Sequence, residues 1–237
     1  MKSLLICSTT LLAAASLMAT DKDDVTTAAQ KLAAADNYSW TTTTEGGQNA
    51  QAPSHGKTQK DGLAWIEMTR GDNTMEAFVK SGKGALKTED GWQALDLAAA
   101  PAPAGGGAGG AGRGMAMRLR NFKAPAAQAE DIISKTKDLA KSADAYAGDL
   151  TEEGAKGLLT MGGGRRGGGA APAVSNAKGS VKFWIKDGAI TKFQIKVSGT
   201  VSRNGNDADI DRTTTVEIKD VGTTKITVPD EAKSKLS

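Results

Sequence analysis

Two glutamates offer the clearest possibility of catalysis in this sequence. Glu67 and Glu76 flank the segment TRGDN, which predicts a turn, so their side chains would face each other across a hairpin. Glycoside hydrolases use a pair of carboxylates in this way, as acid and as base or nucleophile. Exposed strand positions are a much commoner place for glutamate, however, and we expect both residues to be structural.

Histidine and cysteine, which carry most other catalytic and metal chemistry, are nearly absent. His55 is the one histidine, and it lies in the polar segment QAPSHGKTQ, which predicts an exposed loop. Cys7 is the one cysteine, and it lies near the N-terminus. Ser-His-Asp and Cys-His arrangements, and zinc sites with several such ligands, are therefore not expected. We predict no enzyme, no metal site and no cofactor.

The N-terminal residues 1–19 predict a secretory signal peptide. Lys2 precedes an apolar run, and small residues come before the acidic segment TDKDD. Cleavage is expected after Ala19, with Ala15 as the alternative. Cys7 lies too early in the apolar run to be a lipidated cysteine, so the mature chain would have no cysteine. We expect export to the periplasm or the extracellular space.

The charge balance argues against a nucleic-acid partner. The chain has 30 basic and 27 acidic residues, a formal net charge of +3, and loss of Lys2 with the leader would lower it to about +2. A balance so close to zero favours neither nucleic acid nor a general attraction to membranes. Aromatic residues make up only 4% of the chain, which predicts a thin core built mostly from sheet residues.

Hydrophobic periodicity predicts the elements that must position any site. A helix is expected from about Asp23 to Asp36, where apolar residues recur at helical spacing. Residues 38–97 change to a period of two and contain Asp-Gly turns at 61–62 and 90–91, which predicts an antiparallel meander. Further helices are expected from Pro125 and from Glu152, with a short strand around YAGDL between them.

Two glycine-rich tracts interrupt this pattern. Residues 98–114 and 162–173 cannot bury a core, and we expect both to be flexible insertions. Deletion of 104–112 and 162–169 is expected to lower adhesion to anionic vesicles and to leave thermal stability almost unchanged. Five arginines in or beside them are candidates for contacts with anionic envelope surfaces: Arg113, Arg118, Arg120, Arg165 and Arg166.

The closing strands are predicted at 180–186, 189–202, 210–219 and 223–228. Alternation places one apolar set on one face of each of the first two strands: Val181, Phe183 and Ile185, and then Phe193, Ile195 and Val197. These faces match only if odd residues oppose odd residues, and we expect that a two-residue Asp-Gly turn forbids this. We therefore predict a three-residue loop over 186–188, with Val181 paired to Phe193.

The order of these parts resembles the periplasmic lipoprotein-carrier fold, which is LolA-like and shared with mycobacterial envelope lipoproteins of the LppX kind. Five segments carry the resemblance: KLAAADNYSWTTTTE, VKSGKGALKTEDGWQAL, YAGDLTEEGAKGLL, VKFWIKDGAITKFQIKVSG and TTTVEIKDVGTTKITVPDEAKSKL. The resemblance implies a single α+β domain over residues 20–237. It would be a strongly curved antiparallel β-sheet (a half-barrel) with helices packed on its concave face, where the family receives acyl chains. Arg70 is the candidate for the family's arginine contact between sheet and lid.

The predicted function is non-catalytic binding of a hydrophobic ligand, a lipid or a lipoprotein acyl chain, in the cell envelope. Burial of a chain gains about 0.8 kcal/mol per methylene group, so binding needs no catalytic side chain. The candidates for the cavity lining are Trp40, Trp65, Phe78, Val181, Phe183, Ile185, Phe193, Ile195 and Val197. The alternative is an envelope structural or interaction protein with a closed core and cationic loops. A monomer is the favoured oligomeric state.

Overall fold

The computed structural model describes residues 20–47, 51–70, 73–98, 110–161, 172–203 and 205–236. The expected signal peptide and most of both glycine-rich insertions lie outside these ranges. The helices are α1 (Asp21–Ala33), α2 (Gly110–Arg120), α3 (Pro125–Ser134), α4 (Glu152–Met161) and α5 (Asp230–Lys235). The strands are β1 (Asn37–Gly46), β2 (Gln51–Gln59), β3 (Ala64–Arg70), β4 (Asn73–Lys80), β5 (Lys83–Thr88), β6 (Gly91–Asp96), β7 (Ala140–Ser142), β8 (Ala145–Asp149), β9 (Ala173–Lys186), β10 (Ala189–Arg203) and β11 (Asn206–Lys219).

These strands form one antiparallel sheet in the order β6-β5-β4-β3-β2-β1-β11-β10-β9-β8-β7. Two meanders meet in its middle, where Thr42 of β1 pairs with Val216 of β11. The sheet is curved and does not close into a barrel, because β6 and β7 remain as its two edges. The expected α+β class with a curved antiparallel sheet is confirmed.

The connection between the two edges explains where the helices lie. The chain leaves the sheet at β6 and returns at the opposite edge with β7, so the segment that carries α2 and α3 has to cross the sheet. Buried residues of α1, α3 and α4 form one core with β1, β9, β10 and β11, and α2 packs on β3, β4 and β5. We call the face that these four helices cover the helix face.

Helix α1 is fixed at its start by a capping box. The Thr20 hydroxyl accepts a hydrogen bond from the backbone N–H of Asp23 (3.2 Å), whose carboxylate accepts one from the backbone N–H of Thr20 (2.9 Å). Val25 and Leu32 are buried in the core that α1 shares with α3 and the sheet. The predicted helix is confirmed, and it ends at Ala33 rather than at Asp36.

Cross-strand pairing shows which side chains share the helix face, because neighbours in a row across a sheet point to the same side. One such row joins six strands: Leu86, Ala77, Ile66, Gly56, Trp40 and Ile218. Trp65 and Phe78 belong to the next row and point the other way. On that opposite face Phe78 is buried in a separate core with α5. Helix α5 therefore packs on the face that the other four helices do not cover.

Two predicted segments differ from the observed elements. Residues 51–59 form strand β2 rather than a loop, and its buried Gly56 lies in the row beneath the helices. Residues 223–228 are not a strand. Both sides of β1 are already paired, with β2 and β11, so this segment instead places Ile226 and Val228 against the core of α5.

The glycine-rich insertions have different limits from those predicted. Helix α2 begins at Gly110, inside the tract that is expected to continue to residue 114. Strand β9 begins at Ala173, well before the predicted start at Ser180. In both places the sequence is poor in large apolar residues, so hydrophobic periodicity gives no signal for the element.

The hairpin of β9 and β10 has the predicted facing residues but not the predicted pairing. Asp187 and Gly188 form a two-residue turn with φ angles of 53° and 74°. A bulge at Thr191 then shifts the register by one residue, so that Phe183 pairs with Phe193, and Val181 pairs with Ile195 rather than with Phe193. Odd residues do oppose odd residues, but the bulge restores this parity and the predicted three-residue loop is wrong.

Candidate functional site: an apolar cavity beneath the helices

A cavity of about 380 Å³ lies between the helix face and helices α2, α3 and α4. Its floor includes large apolar side chains of three strands: Trp40, Ile66, Met68, Ile195 and Val197. Its walls include apolar side chains of the three helices and of the link between α2 and α3: Leu119, Phe122, Pro125, Ile132 and Leu158. An apolar lining of this kind favours an apolar occupant.

A second depression, of about 410 Å³, lies beside β8 and β9. It is open to solvent, and Lys137, Asp138, Asp149 and Lys182 are among the residues that line it. Val181 is its one large apolar residue. This depression therefore offers little apolar surface, and the cavity beneath the helices is the candidate site.

Trp40 can extend along the cavity floor because residue 56 is glycine. A β-carbon at Gly56 would clash with the Trp40 ring, so the indole extends over β2 in the space that a side chain would fill. The indole also stacks on Phe122, with ring centroids 5.9 Å apart and an interplanar angle of 19°. Floor and wall of the cavity are thus joined by one aromatic contact.

Tyr38, two residues before Trp40, holds the start of α3. This helix opens with Pro125, and no side chain of its N-cap residue Ala124 bonds to its first turn. Instead the Tyr38 hydroxyl accepts a hydrogen bond from the backbone N–H of Ala126 (3.2 Å). Burial raises the pKa of Tyr38 to about 12, against the opposing effect of that hydrogen bond.

Asp131 is the one carboxylate among the lining residues, and two lysines neutralise it. Its oxygens lie 2.6 Å from Nζ of Lys135 and 3.2 Å from Nζ of Lys123. Partial burial acts to raise its pKa, but the hydrogen bonds from Lys135 and Lys123 outweigh that effect and the pKa lies below its ordinary value. Asp131 is therefore charged near neutral pH and already paired.

Arg212 brings a partly buried positive charge to the floor of the cavity. Its Nη2 donates a hydrogen bond to the backbone carbonyl of Leu158 in α4 (3.0 Å), which joins β11 to the helix above it. Burial lowers the pKa of its guanidinium. This is an arginine contact between sheet and helix, the type of contact for which Arg70 is the candidate in the sequence. The side chain of Arg70 lies outside the described part of the structure.

The structure brings three of the nine predicted lining residues to the cavity: Trp40, Ile195 and Val197. Val181, Phe183 and Phe193 are on the helix face but fully covered, and Ile185 packs partly buried against the same core. These four residues pack in the core beneath the helices and do not line the cavity. Trp65 and Phe78 are on the opposite face, since the alternation of β3 and β4 brings Ile66 and Ala77 to the helix face.

The lining residues that the sequence does not indicate are mostly in the link and the helices, with Phe122 and Leu158 as examples. No periodic pattern marks a residue in a link. For Arg212 a signal exists, because it is an even-numbered residue of the strand whose Val216 and Ile218 are buried. Alternation therefore directs Arg212 to the helix face.

The five candidate arginines of the glycine-rich tracts have different positions. Arg118 lines the cavity as an exposed residue of α2. Arg120 donates to the backbone carbonyls of Leu97 (3.2 Å) and Asp96 (3.3 Å), which ties α2 to the end of β6. Three members of the set lie outside the described part of the structure: Arg165, Arg166 and the side chain of Arg113.

The two glutamates do face each other, as predicted. Glu67 pairs with Glu76 across β3 and β4, on the side of the sheet away from the cavity. Glu76 accepts hydrogen bonds from Nε1 of Trp65 (2.8 Å) and Nζ of Lys87 (3.2 Å). These contacts give it a structural role on an open strand surface. His55 pairs with Glu67 in the same row, and its Nδ1 is 3.3 Å from the Thr41 hydroxyl. His55 is nevertheless also among the residues that line the cavity.

The described ranges also bear on metal binding and on membrane insertion. Among these residues no cluster of three or more histidine, cysteine, aspartate or glutamate side chains could hold a metal ion. Nor does any helix within them have the length and apolar character needed to cross a membrane.

No protein-family model and no curated protein matches the chain. Among solved structures it is similar to LprF from Mycobacterium bovis, with 9% identity, a TM-score of 0.48, and coverage of 89% of this chain and 96% of that one. It is also similar to the lipoprotein LppX from Mycobacterium tuberculosis, with 10% identity, a TM-score of 0.48, and coverage of 86% of this chain and 96% of that one. A LolA superfamily protein from Nitrosomonas europaea has 9% identity and a TM-score of 0.33, with coverage of 88% of this chain and 95% of that one. All three likenesses have TM-scores below 0.5 and identities of 10% or less.

Proposed function

We propose that this protein is a non-catalytic binding protein that holds the apolar chain of a lipid or lipoprotein in the cavity beneath its helices. The observation that supports the proposal most directly is the apolar lining of a cavity of about 380 Å³, with Trp40 in its floor. Binding sites for small molecules have volumes of roughly 300 to 1,000 Å³. The cavity is at the lower end of that range, which suits one chain rather than several.

We also propose that the protein is exported to the cell envelope. The segment 1–19 has the charge, apolar run and small residues of a signal peptide, and a chain-binding protein in the envelope would keep such a ligand out of water. Each methylene group that leaves water contributes about 0.8 kcal/mol, so a chain of ordinary length supplies enough free energy for tight binding.

Filling the cavity tests this function. Thr214 lines the cavity, whereas its neighbour Thr215 points to the opposite face and contacts Gln194. We expect Thr214→Phe to weaken binding of a fluorescent fatty-acid probe at least tenfold, and Thr215→Phe to change it less than threefold. Thermal denaturation of both variants shows whether they fold.

The same protein, purified from its native compartment and extracted with organic solvent, is expected to release lipid in about one-to-one ratio, as measured by mass spectrometry. The proposal is wrong if no lipid is recovered and the wild-type protein does not bind the probe. It is also wrong if Thr214→Phe and Thr215→Phe bind the probe as well as the wild type does.

A further inference from the structure

Arg212 is the feature of the cavity that an apolar ligand does not explain. A guanidinium group has five N–H donors, and the hydrogen bond to the carbonyl of Leu158 uses one of them. Within the described ranges Arg212 has no ion pair with a carboxylate. Removing a charge from water without a partner of opposite sign is costly, so a residue in this position favours an anionic partner from outside the chain.

The other charges of the cavity do not supply that partner. Asp131 forms ion pairs with Lys123 and Lys135, so its negative charge is already neutralised and does not balance the charge of Arg212. Arg118 adds another positive charge from α2, and it too has no ion pair among the residues that the structure describes. Among the described residues, three cationic side chains and one carboxylate thus line the cavity, and the sum of their charges is positive.

The position of Arg212 fits a head group next to a chain. In the sheet Arg212 pairs with Val197 on one side and with Gly46 at the end of β1 on the other. Val197 is part of the apolar floor, so Arg212, which also lines the cavity, lies beside that floor. A ligand with a chain over Trp40 and Val197 would bring a terminal charged group to Arg212.

We propose that the ligand is an amphiphile with an anionic head group, a carboxylate or a phosphate, whose oxygens accept hydrogen bonds from Arg212 while its apolar chain fills the cavity. This inference rests on the proposed function and adds the class of ligand to it. The planar fork of an arginine matches both kinds of oxyanion and can bind either with two parallel hydrogen bonds. Arg118, which is exposed, adds attraction that salt screens.

Probes with the same chain and different head groups separate these contributions. Dodecanoate and dodecyl phosphate carry the anionic group, dodecanol has none, and dodecyltrimethylammonium has the opposite charge. We expect calorimetry to show that the wild-type protein binds both anionic probes at least tenfold more tightly than dodecanol. The cationic probe should bind most weakly.

Variants identify the residue that gives the preference for an anionic head group. Arg212→Gln is expected to weaken binding of the anionic probes at least tenfold and to change binding of dodecanol less than twofold. Arg118→Gln is expected to lower the affinity for the anionic probes a few-fold and to make their binding less sensitive to salt. Lys57→Gln is the matched control, because Lys57 lies over the Trp65 ring on the opposite face and its loss should change nothing.

The outcomes distinguish this inference from the function on which it rests. If dodecanol binds as tightly as dodecanoate, or if Arg212→Gln weakens both equally, the anionic head group is excluded and the apolar binding function stands. If no dodecyl probe binds, both proposals fail. Acetate and inorganic phosphate should bind at least a hundredfold more weakly than their dodecyl counterparts. Equal binding would indicate an anion site without a lipid, and would overturn the inference.

Stability of the variant is controlled separately. Arg212→Gln also loses the hydrogen bond to Leu158, so its melting temperature is measured alongside binding. Arg212→Lys keeps the charge but loses the planar fork, and we expect it to bind the anionic probes with intermediate affinity. The comparison of head groups on the wild-type protein needs no variant, and it decides the question if either substitution prevents folding.

Discussion

The hydroxyl of Tyr38 is a buried acid in contact with the start of α3, and this makes stability depend on alkaline pH. The pKa of a tyrosine in an unfolded chain is about 10, whereas that of Tyr38 is raised to about 12. The folded state therefore keeps its proton more tightly than the unfolded state does. Its contribution to stability is complete below pH 10 and is lost as the pH rises toward 12, by roughly 3 kcal/mol in total.

Substitution of Tyr38 tests this dependence. We expect Tyr38→Phe to lower the free energy of unfolding at pH 8 by about 1–3 kcal/mol, since the buried N–H of Ala126 loses its acceptor. The variant should then lose much less stability than the wild type between pH 10 and 12, as measured by urea denaturation.

A second tyrosine serves as the control for Tyr38. Tyr146 donates a hydrogen bond to Asp24 at the exposed start of α1 (3.2 Å), and Tyr146→Phe should keep the alkaline loss of stability. A wild-type protein whose free energy of unfolding is unchanged between pH 10 and 12 would contradict this description of Tyr38.

Alternation predicts only some of the single residues that line the cavity. It states which residues of a strand share a face, and it correctly groups Ile195 with Val197. It does not state which face the helices cover. Because the polar sequence of β2 predicts a loop, the register from β1 to β3 stays open, and Trp65 is grouped with Trp40 although it lies on the opposite face. Pairing of β2 with both strands supplies the missing information.

At the scale of elements, the hairpin of β9 and β10 shows a similar limit. Alternation predicts the facing sets of apolar residues, and it also predicts that an extra residue is needed to bring them together. It does not indicate whether that residue lies in the turn or in the strand. Asp187 and Gly188 adopt the left-handed conformations of a two-residue turn, so the extra residue is Thr191, in a bulge.

Helix α5 is a short element whose docking is expected to matter for stability. It has six residues, and Ala232 is its one buried residue, fully covered in the core with Leu63 and Phe78. A helix of this length does not persist without tertiary contacts. It therefore depends on the side of the sheet away from the cavity.

A pair of substitutions on α5 tests this docking. We expect Ala232→Asp to lower the free energy of unfolding by about 3 kcal/mol or more, because it places an unpaired carboxylate in an apolar core. Ser234→Asp, on the exposed side of the same helix, should change it by less than about 0.5 kcal/mol. Urea denaturation followed by tryptophan fluorescence measures both, and equal midpoints would show that α5 does not dock as described.

At the scale of the whole molecule, the order of the strands determines where a cavity can form. The two meanders meet at β1 and β11, and the chain has to cross the sheet from edge to edge between β6 and β7. The crossing segment is poor in large apolar residues, apart from those of α2, Phe122 and α3. It covers the helix face, with Phe122 stacked on Trp40, and leaves the cavity of about 380 Å³ between the helices and the sheet. Periodicity predicts α3, but it does not report how completely a covering segment fills the space beneath it.

An apolar chain in the cavity would contact Trp40, which lines it, and the fluorescence of Trp40 reports that contact. A variant with Trp65→Phe, Trp92→Phe and Trp184→Phe keeps Trp40 as its one tryptophan, and bromine on the end of a dodecanol chain quenches an indole at short range. We expect saturable quenching of Trp40. We expect little quenching in the matched variant that keeps only Trp184, which lies on the opposite face beside Lys192. Equal quenching of the two tryptophans, or a Trp40 emission that the bound chain leaves unchanged, would contradict this expectation.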